Sequence, residues 1–237
     1  MQKCVLILSL IGICFTQILE NTWMHSIDFI DGVYNNKVIN TSDGNILVAG
    51  LTLVNTDYGD QIFIVKLDPD GNVIWATYIN EYSEHFYVDL IEMSGYYYIT
   101  SRSSVYKLDV DGNSIWTNSY TQVHYFKSIS TTSNNEILLT GTRDNGSGGR
   151  KIVIYKIDEF GEELWSYNNT NWWSTYRGED IIEDSEGAIV IAGTFGQACN
   201  NQLFYKNGST IQYGCWGYGN SISETLDNGF LIGGNEL

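Results

Sequence analysis

Residues 66–75 read KLDPDGNVIW, residues 107–116 read KLDVDGNSIW, and residues 156–165 read KIDEFGEELW. A phrase repeated at a steady interval marks a fold assembled from copies of one unit. A second phrase alternates with it: SDGNILVAG from Ser42, NNEILLTG from Asn134, SEGAIVIAG from Ser185 and DNGFLIGG from Asp227, with a worn copy, SGYYYITS, from Ser94. The first phrase ends in tryptophan. Trp23, Trp75, Trp116, Trp165 and then Gln212 hold that place, at intervals of 52, 41, 49 and 47 residues.

Such an interval is the length of a four-stranded propeller blade. In the third unit FKSISTT, EILLTGT, KIVIYKID and ELWSYN are four short β-favouring runs, bounded by Asn-Asn, Asp-Asn-Gly-Ser-Gly-Gly and Glu-Phe-Gly-Glu. Strands so regularly spaced, with no long 3.6-residue periodicity beyond residue 20, predict an all-β propeller of four-stranded blades with almost no helix. Five units are visible, near 23–74, 75–115, 116–164, 165–211 and 212–237, in a repeat domain spanning 17–237. The fifth is incomplete: an outer strand near Trp23 and its own first two strands account for three of four. The chain therefore reads either as a five-bladed ring with an odd, open last blade or, the preferred expectation, as a fragment of a longer propeller.

Each recurring residue has a mechanical reading. Gly71, Gly112 and Gly161 fall in tight connections, where a positive φ costs glycine little. The tryptophan that follows is expected to bury its ring between blades, a gross gain of roughly 4 to 6 kcal/mol. Lys66, Lys107 and Lys156 are expected at the solvated end of the third strand. Asp68-Pro69-Asp70-Gly71-Asn72 and Asp109-Val110-Asp111-Gly112-Asn113 look like calcium loops, but the glycine comes too early and later carboxylates are lacking, so they read as hairpin turns.

The combined pattern, Asp-Gly-x followed by an apolar run ending in Gly and then apolar-Lys-Leu-Asp-x-x-Gly-x-x-x-Trp, resembles the secreted repeat propellers of the delta-60 and quinoprotein-like (WD40-like) type over residues 23–235. It is also similar to the tryptophan-docking motif of quinoprotein dehydrogenases, with the Asp68 to Gly71 interval one residue shorter. That motif builds blades and binds no cofactor, and the vicinal cysteine pair typical of those enzymes does not occur in this sequence. The resemblance implies a scaffold rather than a dehydrogenase site, and no cofactor.

Residues 1–16 begin with Lys3 ahead of an apolar run to Phe15, the pattern of a secretory signal peptide rather than a membrane span. The mature chain is expected to be secreted and not inserted in a membrane. Asn40, Asn145, Asn168 and Asn207 each open an N-x-Ser/Thr acceptor sequence for glycosylation. Cys199 and Cys215 flank a hairpin turning at Asn207-Gly208, which places them nearly opposite on adjoining strands. In an oxidising compartment they are expected to form a disulfide, worth roughly 3 kcal/mol for a loop of that length. Two thiols with no histidine nearby do not make a zinc site. A formal net charge of −16 repels nucleic acid and anionic lipid.

On a repeat scaffold, function belongs where the copies differ. The segments ahead of each first strand are unusually aromatic: Tyr82, His85 and Phe86, then Tyr120, His124 and Tyr125, then Trp172, Trp173 and Tyr176. With the first strand innermost, they ring one mouth of the central channel. Their rings suit sugar faces, and Asp89, Asp180 and Glu179 suit hydroxyl hydrogen bonds. The candidate ligand-binding set is Trp172, Trp173, His85, His124, Tyr82, Asp89 and Asp180. The function expected is a secreted, non-enzymatic recognition propeller for a glycan or an extracellular protein. The alternatives are a polysaccharide-cleaving propeller, with Asp89, Asp180 or Glu179 as acid and base, and a passive structural or adhesive module.

Overall fold

A computed structural model describes residues 33–52, 61–80, 87–144, 149–168, 176–195, 203–206, 209–212 and 218–235. Among them every regular element is a β-strand. The chain divides into two compact units, Met1–His85 and Phe86–Leu237. The first holds one antiparallel sheet of four strands in chain order: β1 (Val33–Asn40), β2 (Ile46–Thr52), β3 (Gln61–Leu67) and β4 (Val73–Asn80).

The second unit repeats that meander. One sheet comprises β5 (Val88–Met93), β6 (Tyr96–Ser101), β7 (Ser104–Leu108) and β8 (Ser114–Ser119). The next comprises β9 (Tyr125–Thr131), β10 (Ile137–Asp144), β11 (Arg150–Ile157) and β12 (Glu163–Asn168). Then come β13 (Tyr176–Glu183), β14 (Ile189–Phe195), β15 (Leu203–Lys206) and β16 (Ser209–Gln212), and a two-stranded sheet of β17 (Tyr218–Glu224) and β18 (Phe230–Asn235). The first strands β5, β9, β13 and β17 lie each against the next. Within this unit they are the inner strands, as expected for blades.

Burial follows from that stacking. The second strands β2, β6 and β10 and the third strands β3, β7 and β11 are buried almost end to end, so both their faces are covered and they read as nearly unbroken apolar runs. The fourth strands β4 and β8 alternate exposed and half-buried positions. Trp75 on β4, Trp116 on β8 and Trp165 on β12 are half-buried, not enclosed as expected. Trp116 lies against the neighbouring sheet, its Nε1 donating to the Glu159 carbonyl at 3.2 Å and its ring 6.0 Å from Tyr98.

The lysines are the larger correction. Lys66 and Lys107 are only 4% and 5% exposed, because the third strand that carries them is interior. A buried ammonium needs partners. Lys66 Nζ donates to Asp43 Oδ2 at 2.7 Å, which holds the Asp43 carboxyl well below the usual carboxylate range, and Thr41 adds to that. Lys156 pairs with Glu136. Lys107, whose tight turn offers no acid, donates to the Glu159 carbonyl at 3.1 Å and sits 4.1 Å from the Tyr96 ring centroid; burial pulls its pKa down.

The Asp-x-x-Gly segments are hairpin turns. Asp68 Oδ1 accepts from the amides of Asp70 and Asn72, Asp109 does the same for Asp111 and Asn113, and Gly71 and Gly112 have φ of 85° and 83°. A carboxylate bonded into its own turn in this way is structural.

The glycine closing the second phrase has a different cause. Between β9 and β10 the register runs Thr140 with Ser128 and then Gly141 with Phe126, leaving Lys127 as a one-residue bulge. Glu179 and Asn220 are left over in the same way in β13 and β17. A bulge drives the inner strand's backbone toward its partner. A Cβ on Gly141 would lie 2.1 Å from the Tyr125 carbonyl oxygen, and one on Gly193 2.1 Å from that of Arg177. The worn phrase fits the same rule: β5 and β6 pair without a break, and Ser101 stands where the glycine would be. Gly141→Ala should therefore cost about 3 kcal/mol, the upper part of the range for overpacking, while Ser101→Ala should cost about 1 kcal/mol or less. Urea midpoints of the two variants check this, and equal midpoints would refute the bulge account.

Candidate functional site

The meander sends the turns joining strands one to two and three to four to one end of each sheet. The remaining connections go to the other. In the second unit this sorts the charges. The first set of turns carries Asp109, Asp111, Glu136, Asp158, Glu159, Glu162, Asp184 and Asp227. The opposite end carries Arg102 between β6 and β7, Arg143 near the end of β10, Arg150 and Lys151 at the start of β11, and Arg177 at the start of β13. Cations of a strongly acidic chain thus gather where the inner strands begin.

Aromatic rings stand among them. Arg150 Nη1 donates to the Tyr125 hydroxyl at 2.9 Å, with its guanidinium carbon 5.6 Å from that ring's centroid. Tyr87 lies 5.4 Å from Tyr125 on one side and His124 5.1 Å on another. His124 Nδ1 is 3.2 Å from Asp144 Oδ2, and both side chains are exposed. Lys127, the bulge residue, lies 4.1 Å from the Tyr87 ring centroid and pairs with Glu179, the bulge residue of the next sheet. The Nε atoms of Arg143 and Arg177 are buried and meet no hydrogen-bond acceptor among the described residues. The arrangement offers aromatic faces, guanidinium donors and one exposed His–Asp pair.

His124 is where the sequence put it, at the start of an inner strand. Tyr82, His85, Trp172 and Trp173 lie outside the described residues, as do Cys199, Cys215, Asn145 and Asn207; Asn168 ends β12, and its side chain is likewise outside them. Asn40 ends β1 and is exposed. Tyr120 is a packing residue: its hydroxyl donates to the Gly161 carbonyl at 2.9 Å, its ring meets Phe126 and Tyr155, and burial pushes its pKa up.

Asp89 and Asp180 have a role other than hydroxyl recognition. Buried Asp89 accepts from its neighbour Leu90 N at 2.9 Å through Oδ1, and from Ile129 N of the next inner strand at 3.1 Å through Oδ2. Asp180 Oδ1 accepts from Ser128 Oγ of the preceding inner strand at 2.7 Å and from Ile181 N at 2.9 Å. Its Oδ2 accepts from Ile222 N of the following one at 2.9 Å. A first strand has an open edge whose amides need acceptors, and a carboxylate from the adjoining sheet supplies one. These aspartates tie inner strands together. Sequence reasoning also passed over Arg150, Asp144, Lys127 and Tyr87. A local signal existed for the cations alone: Arg143 stands two residues after the glycine that ends the second phrase, and Arg150 and Lys151 directly follow the glycine-rich connection.

No family profile and no curated protein matches this chain. Solved structures do. A protein of unknown function from Bacteroides caccae matches at 12% identity and TM-score 0.57, over 78% of this chain and 64% of that one. BBS1N, solved in complex with ARL6DN, matches at 11% identity and TM-score 0.58, over 89% and 65%. Apocarotenoid oxygenase of Synechocystis, as a mutant, matches at 9% identity and TM-score 0.51, over 86% and 56%. The fold is a β-propeller. The chain spans less than two thirds of each of these propeller chains, and at such identities the likeness is one of fold alone.

If Asp180 is an inter-blade tie, Asp180→Ala should lower stability by about 2 to 4 kcal/mol, since it leaves the Ile222 amide and the Ser128 hydroxyl without their acceptor. Chemical denaturation measures it, and an unchanged midpoint would remove the tie.

Proposed function

We propose that the chain is a secreted recognition propeller that binds an acidic glycan at the end of the blades where the inner strands begin, without chemical turnover. The observation that carries this reading is the gathering of Arg102, Arg143, Arg150 and Arg177 at that end of a chain of net charge −16, beside the Tyr87–Tyr125 ring pair. Tyrosine faces stack on the apolar face of a sugar ring, and guanidinium groups take carboxylate or sulfate in paired hydrogen bonds. The cleavage alternative loses support, because Asp89 and Asp180 are committed to backbone amides and Glu179 to Lys127.

The finer family likeness, to the delta-60 type, belongs to the same proposal, as does the secretory route: a leader over residues 1–16, a Cys199–Cys215 bridge and glycosylation at the sequons. The exposed position of Asn40 supports the last of these. Protein secreted from a eukaryotic host should begin near residue 17 by N-terminal sequencing.

That protein, applied to an array of uronate-bearing, sulfated and neutral glycans, should bind the acidic ones and release them as salt rises. Arg150→Ala should weaken binding tenfold or more, the scale of one lost charge-assisted hydrogen bond. A Trp172→Ala, Trp173→Ala double variant tests whether those residues take part. Folded wild type that binds no glycan, or only neutral ones, overturns the reading; retention of a protein partner at this end instead would replace a sugar ligand with a polypeptide.

A further inference from the structure

His124 ends the connection that leads into β9, and its amide donates to the Thr142 carbonyl at 2.8 Å. That bond seats the residue beside the end of β10, which carries Asp144 two positions on. His124 Nδ1 lies 3.2 Å from Asp144 Oδ2, and the two side chains are 41% and 58% exposed. On its other side Asp144 stands opposite Arg150 in the register of β10 and β11. Residues so paired on neighbouring strands hold their β-carbons about 5 Å apart. One exposed carboxylate is thus shared between an imidazole and a guanidinium.

The neighbouring charges are constant. Arg150 is held on the Tyr125 hydroxyl at 2.9 Å, and the His124 ring stands 5.1 Å from the same tyrosine. Lys127 faces the Tyr87 ring and is matched by Glu179. The Arg102 carbonyl accepts from Phe126 N at 2.6 Å, and Arg143 precedes Asp144 on β10. Arginine keeps its charge throughout, whereas histidine is the residue type that gains or loses a proton between about pH 5 and 8. With His124 neutral, the Asp144 charge is unmatched there and offsets Arg150. With His124 protonated, Asp144 is matched and the Arg150 charge stands free.

We propose that His124 and Asp144 form a charge switch on this end of the blades, in which protonation of His124 cancels the Asp144 carboxylate and lets Arg150 take an anionic group of the ligand. The switch regulates the site of the acidic-glycan reading above and rests on that reading. An anion bound there favours the protonated imidazole, so capture takes up a proton and tightens as pH falls.

The test uses the whole chain and a fluorescently labelled sulfated oligosaccharide, whose sulfates stay charged throughout, at constant ionic strength. Wild type should bind roughly three- to tenfold more tightly at about pH 5.5 than at about pH 8, the scale of one unit charge a few ångströms away near a protein surface. His124→Gln should bind with the weaker affinity at both. Asp144→Asn should hold the ligand at the higher pH about as tightly as wild type does at the lower. Both side chains are exposed, and unaltered melting curves confirm that the variants fold. His25 and His85 lie outside the described residues, and the His124→Gln profile separates His124 from them. Calorimetry in buffers of different ionisation heat should show proton uptake on binding by wild type and less by His124→Gln. A wild-type profile without pH dependence, or a dependence that His124→Gln retains in full, overturns the switch and leaves the acidic-glycan reading standing. No binding at either pH overturns both.

Discussion

A strand covered on both faces leaves its polar groups no route to water, and this constraint on strands two and three governs most of the molecule. Their apolar runs are unbroken because each side meets another layer. The charged residue that recurs on them, the lysine near the end of strand three, survives there by reaching an acid or a carbonyl at the turn. Lys66 finds Asp43, Lys156 finds Glu136, and Lys107 finds the Glu159 carbonyl and a tyrosine face. Losing one partner of such a pair costs more than the pair contributes, since the remaining charge stays buried. The same lysine recurs in three units because the same burial recurs.

The inner strands answer a related demand differently. Their edges face no further strand of their own sheet, so amides there require acceptors from outside it. Asp89 and Asp180 serve the sheet that follows each, and Ser128 donates to Asp180 across the boundary between them. At the bulges the extra residue is free of the ladder, which releases Lys127 and Glu179 to pair with each other across inner strands. The bulge therefore fixes two things at once: glycine at 141 and 193, and a charged residue turned out of the ladder.

How much of this was legible in the sequence depends on distance along the chain. Repeat length, strands and Asp-x-x-Gly turns are set by neighbours within ten residues, and these read correctly from KLDPDGNVIW and its copies. The tryptophans and lysines were misplaced in depth because depth depends on the adjoining sheet, some 40 residues away. The inter-sheet bonds of Asp89 and Asp180 were hidden for the same reason: a carboxylate beside an aromatic segment does not reveal its partner, Ile129 or Ile222, until the sheets are stacked. The worn phrase SGYYYITS was a true signal, since Ser101 replaces glycine where β5 and β6 pair without a bulge.

Charge placement carries the argument from fold to surface. In a meander, a turn's position in the repeat decides which end of the blade it reaches, so a repeat that writes Asp and Glu into one class of turn paints one face acidic throughout. The other connections are free to vary. There the second unit places its arginines, and there the aromatic residues that break the repeat also fall. Repetition sets the acidic face, and departure from repetition sets the cationic, aromatic one. The two faces thus differ in charge, and on the second Arg150 is held against Tyr125 with Tyr87 alongside.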